Sequence, residues 1–259
     1  MISKERHNFI SDLAETIAIR FFKPSEPIIP EVISKHYRVG YTFGEYGDYF
    51  DGMLEHSKGE FHIFINTARH NNVQRHRFSF AHELGHYFID EHSIALAQGL
   101  SAGHCSQTGF VSNRTVEREA DLFAASLLMP VNRTLSIYRK NRNFSFDSIQ
   151  SISRAFQVSI LSAMYRVFYL DLHPMMIVKT INGRIIGKPM RSKDFYYRLR
   201  DKALPEDSGP FHFFRNQKEY KTRQLYAFDW FNTNSNKKIY EHNIYHKTMS
   251  TVYSILWTD

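Results

Sequence analysis

Residues 82–86 read His-Glu-Leu-Gly-His, with two histidines four positions apart. On a helix that spacing puts both imidazoles on one face, within reach of a single cation. Glu83 falls on the flank beside them. This constrains the fold: the segment has to be a helix, and a second segment has to supply whatever else the cation needs. The flanking residues agree. Residues 75–81 contain no Gly or Pro, and Phe78, Ala81, Leu84, Gly85 and Phe88 make an apolar stripe at helical spacing. Asn71 or Asn72 is placed to cap the start.

Residues 114–129 predict the partner helix, closed by Pro130. Glu117, Ala120, Asp121, Ala124, Ala125 and Leu128 share one face, and the alanines let another helix approach closely. A catalytic zinc ion takes three protein ligands and keeps one open position. His82 and His86 supply two of them. Glu117 is the first candidate for the third, because Asp121 one turn later can accept a hydrogen bond from a ligand imidazole. Glu119 points to a different side, into solvent. His92 stands ten residues after His82, the third-ligand position of the metzincin pattern. That pattern also needs a Gly where this chain has Ile89, so Glu117 ranks above His92.

H-E-x-x-H on a helix is the pattern of zinc peptidases, with the Glu as general base. Zinc lowers the pKa of a bound water to about 7. Glu83 would take a proton from the attacking water and return it to the leaving amine. Two His and a carboxylate also suit Mn²⁺ or Fe²⁺. An oxyanion donor could be Tyr87, Arg114, His104 or a tyrosine of residues 46–49. His104 and Cys105 are ligands by chemistry, but they lie in a polar, loop-like stretch with nothing to fix their geometry.

Composition narrows the class. Cys105 is the single cysteine, which excludes an internal disulfide. No apolar run approaches bilayer length, and residues 1–15 lack the apolar core of a signal peptide. The expectation is a soluble cytoplasmic protein with no membrane contact. Up to His173 there are 18 Lys/Arg and 18 Asp/Glu; residues 174–259 hold 15 and 8, so the net +7 lies wholly in the last third. Such a bias suits DNA or an acidic protein partner, and equally a solvated basic surface.

Around the two helices, helices are predicted over residues 1–22 and 27–36. Strands are predicted near 39–43, 52–55 and 60–66, the last two joined at Lys58-Gly59. The strand at 60–66 precedes the motif helix and is a candidate to pair with an extended substrate backbone. Residues 93–99 predict a short helix, and 101–113 a loop.

R-F-S-F-A-H-E-L-G-H-Y-F-I followed by E-R-E-A-D-L-F-A-A-S-L-L-M-P resembles the ImmA/IrrE family of zinc metallopeptidases. The preceding D-G-M-L-E and F-H-I-F-I-N fit that family's approach to the motif helix, and the resemblance covers roughly residues 1–170. It implies that His82, His86 and Glu117 bind zinc and that Asp121 occupies the family's Asn-or-Asp position. It also implies a protein substrate: a helix-turn-helix repressor, cleaved inside the cell to release stress or mobile-element genes.

Residues 147–156 and 159–169 predict two short helices laid out like a helix-turn-helix, with Ser159 as N-cap. Arg166 is the only cation of the second, so packing or peptide docking is favoured over DNA reading. Beyond it, strands are expected at 176–181 and 184–187 around Asn182-Gly183, then at 224–231, 238–246 and 251–258, with a helix at 194–202. Tyr226, Phe228 and Trp230 would form one aromatic row, either half of a core or a surface for bases. By the same resemblance, longer members end in a GAF-type sensory domain, for which this tail is short.

The expected architecture is α+β. A mostly helical, zincin-like (gluzincin-like) catalytic domain with a small antiparallel sheet fills residues 1–142. A helix-turn-helix-like pair follows at 143–173 and a basic α+β module at 174–259. The expected function is a zinc metalloendopeptidase acting on a repressor. The rival is a DNA-binding regulator whose zinc site is structural or vestigial.

Overall fold

The computed structural model describes residues 2–68, 72–100, 104–106 (backbone only), 115–201 and 203–258. The chain forms two compact units: Met1–Lys140 with Ile149–Arg166, and Asn141–Ser148 with Val167–Asp259. The fold is α+β, as expected.

The first unit opens with α1 (Lys4–Phe21) and α2 (Pro30–His36). The buried stripe of α1 is Ile10, Ala14, Ile17 and Ala18, and Phe9 is exposed. Three strands follow: β1 (Gly40–Gly44), β2 (Gly52–Ser57) and β3 (Glu60–Asn66). Lys58 and Gly59 both take positive φ, which makes the tight β2–β3 hairpin that the sequence predicts. Then come α3 (Val73–Phe88) and α4 (Asp90–Ala97), separated only by Ile89. Next are the short strand β4 (His104–Ser106), α5 (Thr115–Leu128) and α6 (Val131–Tyr138).

The sheet runs β1-β3-β2-β4. It corrects two expectations. It is mixed rather than antiparallel, because β1 pairs parallel to β3. And β3 is an interior strand, with β1 and β2 occupying both of its edges, so it cannot take a substrate strand. The outer strand beside β2 is β4, inside a stretch expected to be loop.

The pair α7 (Phe146–Phe156) and α8 (Ile160–Tyr169) turns at Gln157, which has a φ of 52°. Ser159 caps α8, as expected, its Oγ accepting from the Ser162 amide. The pair does not present a DNA-reading helix. Leu161, Ala163, Met164 and Arg166 are buried, and Arg166 donates to the Met129 carbonyl at 2.9 Å and to Ser126 Oγ at 3.3 Å. Its one cation is therefore spent on α5 and its C-terminal end. Burial pushes the Arg166 pKa down, to about 10, against the opposing pull of Glu15.

The second unit holds β5 (Met175–Ile181), β6 (Arg184–Ile185), β7 (Met190–Arg191), α9 (Gly209–Asn216), β8 (Thr222–Tyr226), α10 (Ala227–Trp230), β9 (Lys238–His246) and β10 (Thr251–Trp257). The strands form an antiparallel sheet ordered β6-β5-β10-β9-β8, with β7 pairing β5. Asn182-Gly183 makes the predicted hairpin.

Residues 194–201 are not helical. Phe195, Tyr197 and Leu199 alternate into the core, and Leu199 bridges Phe231. That period of two was present in the sequence and outweighs the helix expectation. The predicted strand 224–231 ends at Tyr226, where Asp229 Oδ2 accepts the Tyr226 amide and starts α10. The aromatic row is consequently split. Trp230 is buried and donates from Nε1 to Glu241 Oε2 at 2.7 Å, while Tyr226 and Phe228 stack on each other. Helix α9 was not anticipated, although Ser208 as cap and Pro210 in the first turn announce it. Among the described residues, no helix is long and apolar enough to cross a membrane.

Candidate metal centre

The N-cap of α3 is Asn72, whose Oδ1 accepts from the amides of Gln74 and Arg75 at 2.9 and 3.2 Å. From Ser79 to His86 every residue of α3 is buried. Helix α5 packs against it at very short range: a Cβ added to Gly85 would stand 3.1 Å from Ala120 Cα. The small-residue face expected on α5 is thus matched by a glycine on α3. Helix α1 packs on α5 as well, and Phe123, Leu127 and Glu119 are buried along with Ala120 and Ala124.

This approach brings three donors together. His82 Nε2 lies 3.1 Å from His86 Nε2 and 3.3 Å from Glu117 Oε2, and His86 Nε2 lies 3.7 Å from Glu117 Oε1. Their ligand atoms all lie within 4.8 Å of one another. Two tetrahedral ligands each about 2.0–2.1 Å from zinc stand about 3.4 Å apart, so this triangle fits one cation. The chemistry of the set, two imidazoles and one carboxylate, fits as well.

Behind His82, its Nδ1 meets Asp121 Oδ1 at 2.9 Å. Burial disfavours a charged His82 ring, but the hydrogen bonds to Asp121 and Glu117 outweigh it and hold the pKa up at about 10 in the chain alone. Behind His86, its Nδ1 lies 3.2 Å from His92 Nδ1. His92, the rival third ligand, therefore sits on the far side of His86 from the donor triangle. Its Nε2 meets Glu119 Oε2 at 3.1 Å. Glu119 is not solvated as expected: it is 7 % exposed and also accepts from Arg6 Nη2 at 2.7 Å.

The Glu83 side chain is wholly buried. Its carboxylate lies against the backbone of β2, where a Cβ on Gly52 would come within 2.7 Å of Oε1. Next to Gly52, Asp51 Oδ2 accepts from Arg75 Nη2 at 2.7 Å. Asn66 pins the preceding loop, donating to the Gly47 and Phe50 carbonyls and accepting from the Tyr46 and Ala68 amides. Gly52, Glu119 and Arg6 carried no sequence signal for this site, because each acts across a contact between distant segments.

Among the oxyanion candidates, Tyr87 packs in an aromatic cluster with Tyr37, Phe61 and Phe88, and burial raises its pKa. Tyr46 stacks on Phe50, and Tyr49 is exposed. The side chains of His104, Cys105 and Arg114 lie outside the described residues.

Comparison with known proteins agrees with this geometry. A search of the curated proteins finds no match. Among solved structures, a Mycobacterium tuberculosis transcriptional regulator superposes with a TM-score of 0.58 at 12 % identity, covering 98 % of this chain and 78 % of that one. At that identity the likeness is one of fold. The Peptidase M78 family model, described as the IrrE N-terminal-like domain, matches residues 44–168. That span runs from the end of β1 to α8 and contains both helices of the donor triangle, so residues 44–168 match an IrrE N-terminal-like domain, in line with the resemblance to the ImmA/IrrE family.

Proposed function

We propose that the protein is a zinc-dependent metalloendopeptidase. The carrying observation is the triangle of His82, His86 and Glu117, with the buried Glu83 carboxylate on the same helix. When bound there, zinc would polarise the scissile carbonyl and acidify a water.

The chain's own residues do the rest. Glu83 takes the proton of the attacking water and passes it to the leaving amine. The wall at Gly52 sets where its carboxylate stands. Asp121 accepts from His82 Nδ1, which fixes the tautomer and leaves Nε2 as the donor atom. Mn²⁺ and Fe²⁺ suit the same donors, and zinc is favoured by the H-E-x-x-H pattern.

The substrate class is the one that the resemblance to the ImmA/IrrE family implies: a helix-turn-helix repressor, cleaved to derepress stress or mobile-element genes in the cytoplasm. The basic residues of the second unit suit an acidic protein or DNA as a partner. The rival, a regulator that reads DNA through α8, is disfavoured by the burial of Arg166.

The test pairs the zinc-loaded protein with a candidate repressor. Wild type should cleave it, while Glu83→Gln should keep the metal and lose turnover. Cleavage by both proteins, or metal loss without any cleavage by wild type, would sink the proposal. A salt-dependent shift of a defined DNA site by both proteins, with no proteolysis by either, would favour the regulator.

A further inference from the structure

Behind His86 runs a chain of polar side chains drawn from four helices, buried as far as Glu119 and reaching the surface at Arg6. His92 is 5 % exposed and stands near the start of α4. Its two ring nitrogens are both engaged: Nδ1 by His86 Nδ1 at 3.2 Å, Nε2 by Glu119 Oε2 at 3.1 Å. Arg6 of α1 then holds Glu119 at 2.7 Å, and grips Glu91 through both terminal nitrogens at 2.9 and 3.1 Å.

The direction of these bonds follows from proton counting. A cation on His86 Nε2 leaves the ring proton on Nδ1. That N–H has to donate, so His92 Nδ1 has to accept. The single proton of neutral His92 then sits on Nε2 and is donated to the Glu119 carboxylate. The same Glu119 oxygen also accepts from the Arg6 guanidinium. With both rings neutral, no other proton arrangement makes both bonds.

We propose that His92, anchored by Glu119 and Arg6, is a positioning residue that fixes the tautomer and ring orientation of His86 and so holds the cation. The inference rests on reading His82, His86 and Glu117 as the cation site. It makes the two histidines unequal. His82 is backed by the carboxylate of Asp121, whereas His86 is backed by a neutral imidazole, the weaker acceptor.

The experiment measures Zn²⁺ affinity of the full-length chain by competition with a chromogenic chelator, and the visible spectrum of the Co²⁺-loaded form. His92→Leu should weaken Zn²⁺ binding by about 10–100-fold and shift the Co²⁺ bands. His92→Asn, which can still accept and donate, should recover part of the affinity. The melting temperature of the metal-free chain should change little. Glu119→Gln keeps the side-chain shape and serves if His92→Leu fails to fold; it should shift the Co²⁺ bands in the same direction. Unchanged affinity and spectrum in these variants, with or without a lower metal-free melting temperature, would overturn the positioning role and leave the cation site standing. A wild-type chain that binds no Zn²⁺ would overturn both.

Discussion

Gly52 Cα and the Glu83 carboxylate are in contact across β2 and α3: a Cβ built on Gly52 would lie 2.7 Å from Glu83 Oε1 and 3.1 Å from its Cγ. The general base proposed for the reaction therefore leans on a bare stretch of backbone. Because Glu83 is wholly buried, it has little room to yield.

Gly52→Ala should consequently push the carboxylate aside. Misplacing a catalytic group by about 1 Å can cost about 100-fold in rate. The expected outcome is a fall in kcat of at least about tenfold with Zn²⁺ affinity near wild type. Steady-state kinetics beside chelator competition would check it. An unchanged kcat would show that the contact does not position Glu83.

Gly85 is the corresponding close approach between α3 and α5. Alanine there gains roughly 1 kcal/mol of helix propensity over glycine. It also meets Ala120 Cα at 3.1 Å and the Ala120 carbonyl at 3.2 Å, which are backbone atoms that cannot rotate away. Overpacking costs typically about 1–3 kcal/mol, so Gly85→Ala should destabilise by about 1 kcal/mol net. It should also weaken Zn²⁺ binding, since α5 carries Glu117. Denaturant titration would read the first effect; a stabilised protein would contradict the packing argument.

Cation binding should release a proton. With its pKa held at about 10, His82 is protonated at pH 7 in the chain alone, and a cation takes only the neutral ring. Calorimetry in buffers of different ionisation enthalpy should show close to one proton released, with affinity rising as pH rises toward 10. The sign for folding is opposite. A raised folded-state pKa stabilises the cation-free chain fully below the ordinary value of about 6.5, and that contribution is lost as pH climbs through about 10. No proton release at pH 7 would contradict the Asp121 and Glu117 hydrogen bonds as the cause.

His242, in the second unit, predicts acid sensitivity. Burial, helped by Lys221, lowers its pKa to about 4, and its ring stacks on Phe146. A lowered folded-state pKa gives stability that is present above the ordinary value of about 6.5 and lost as pH falls toward 4. The wild-type melting temperature should drop more steeply over that window than that of His242→Gln. Parallel slopes would place the acid sensitivity in other groups.

What the sequence determined was local. Helical spacing alone puts His82 and His86 on one face, and the run of apolar residues around them specifies a buried helix. Glu117, Asp121 and the alanines at 120, 124 and 125 specify a second helix with a polar and a small-residue face. The tight turns at Lys58-Gly59 and Asn182-Gly183 were equally legible, because turn chemistry depends on neighbouring residues. Residues 194–201 show the limit of such reading: the same letters carry a weak helical and a weak alternating pattern, and the core position of Phe195, Tyr197 and Leu199 selects the second.

Tertiary structure decided everything that depends on which segments meet. Glu119 reads as a solvated charge until α1 and α4 bring Arg6 and His92 to it. Gly52 reads as an ordinary strand residue until β2 is laid against Glu83. His92 has the sequence spacing of a ligand, but the break at Ile89 turns α4 so that its ring backs His86 instead. Arg166 reads as the lone cation of α8 with no partner assigned, and the fold buries it against the carbonyl of Met129. The physical reason is common to all four. A side chain's type and spacing state what it can bond, but its partner is chosen by packing between residues far apart in the chain.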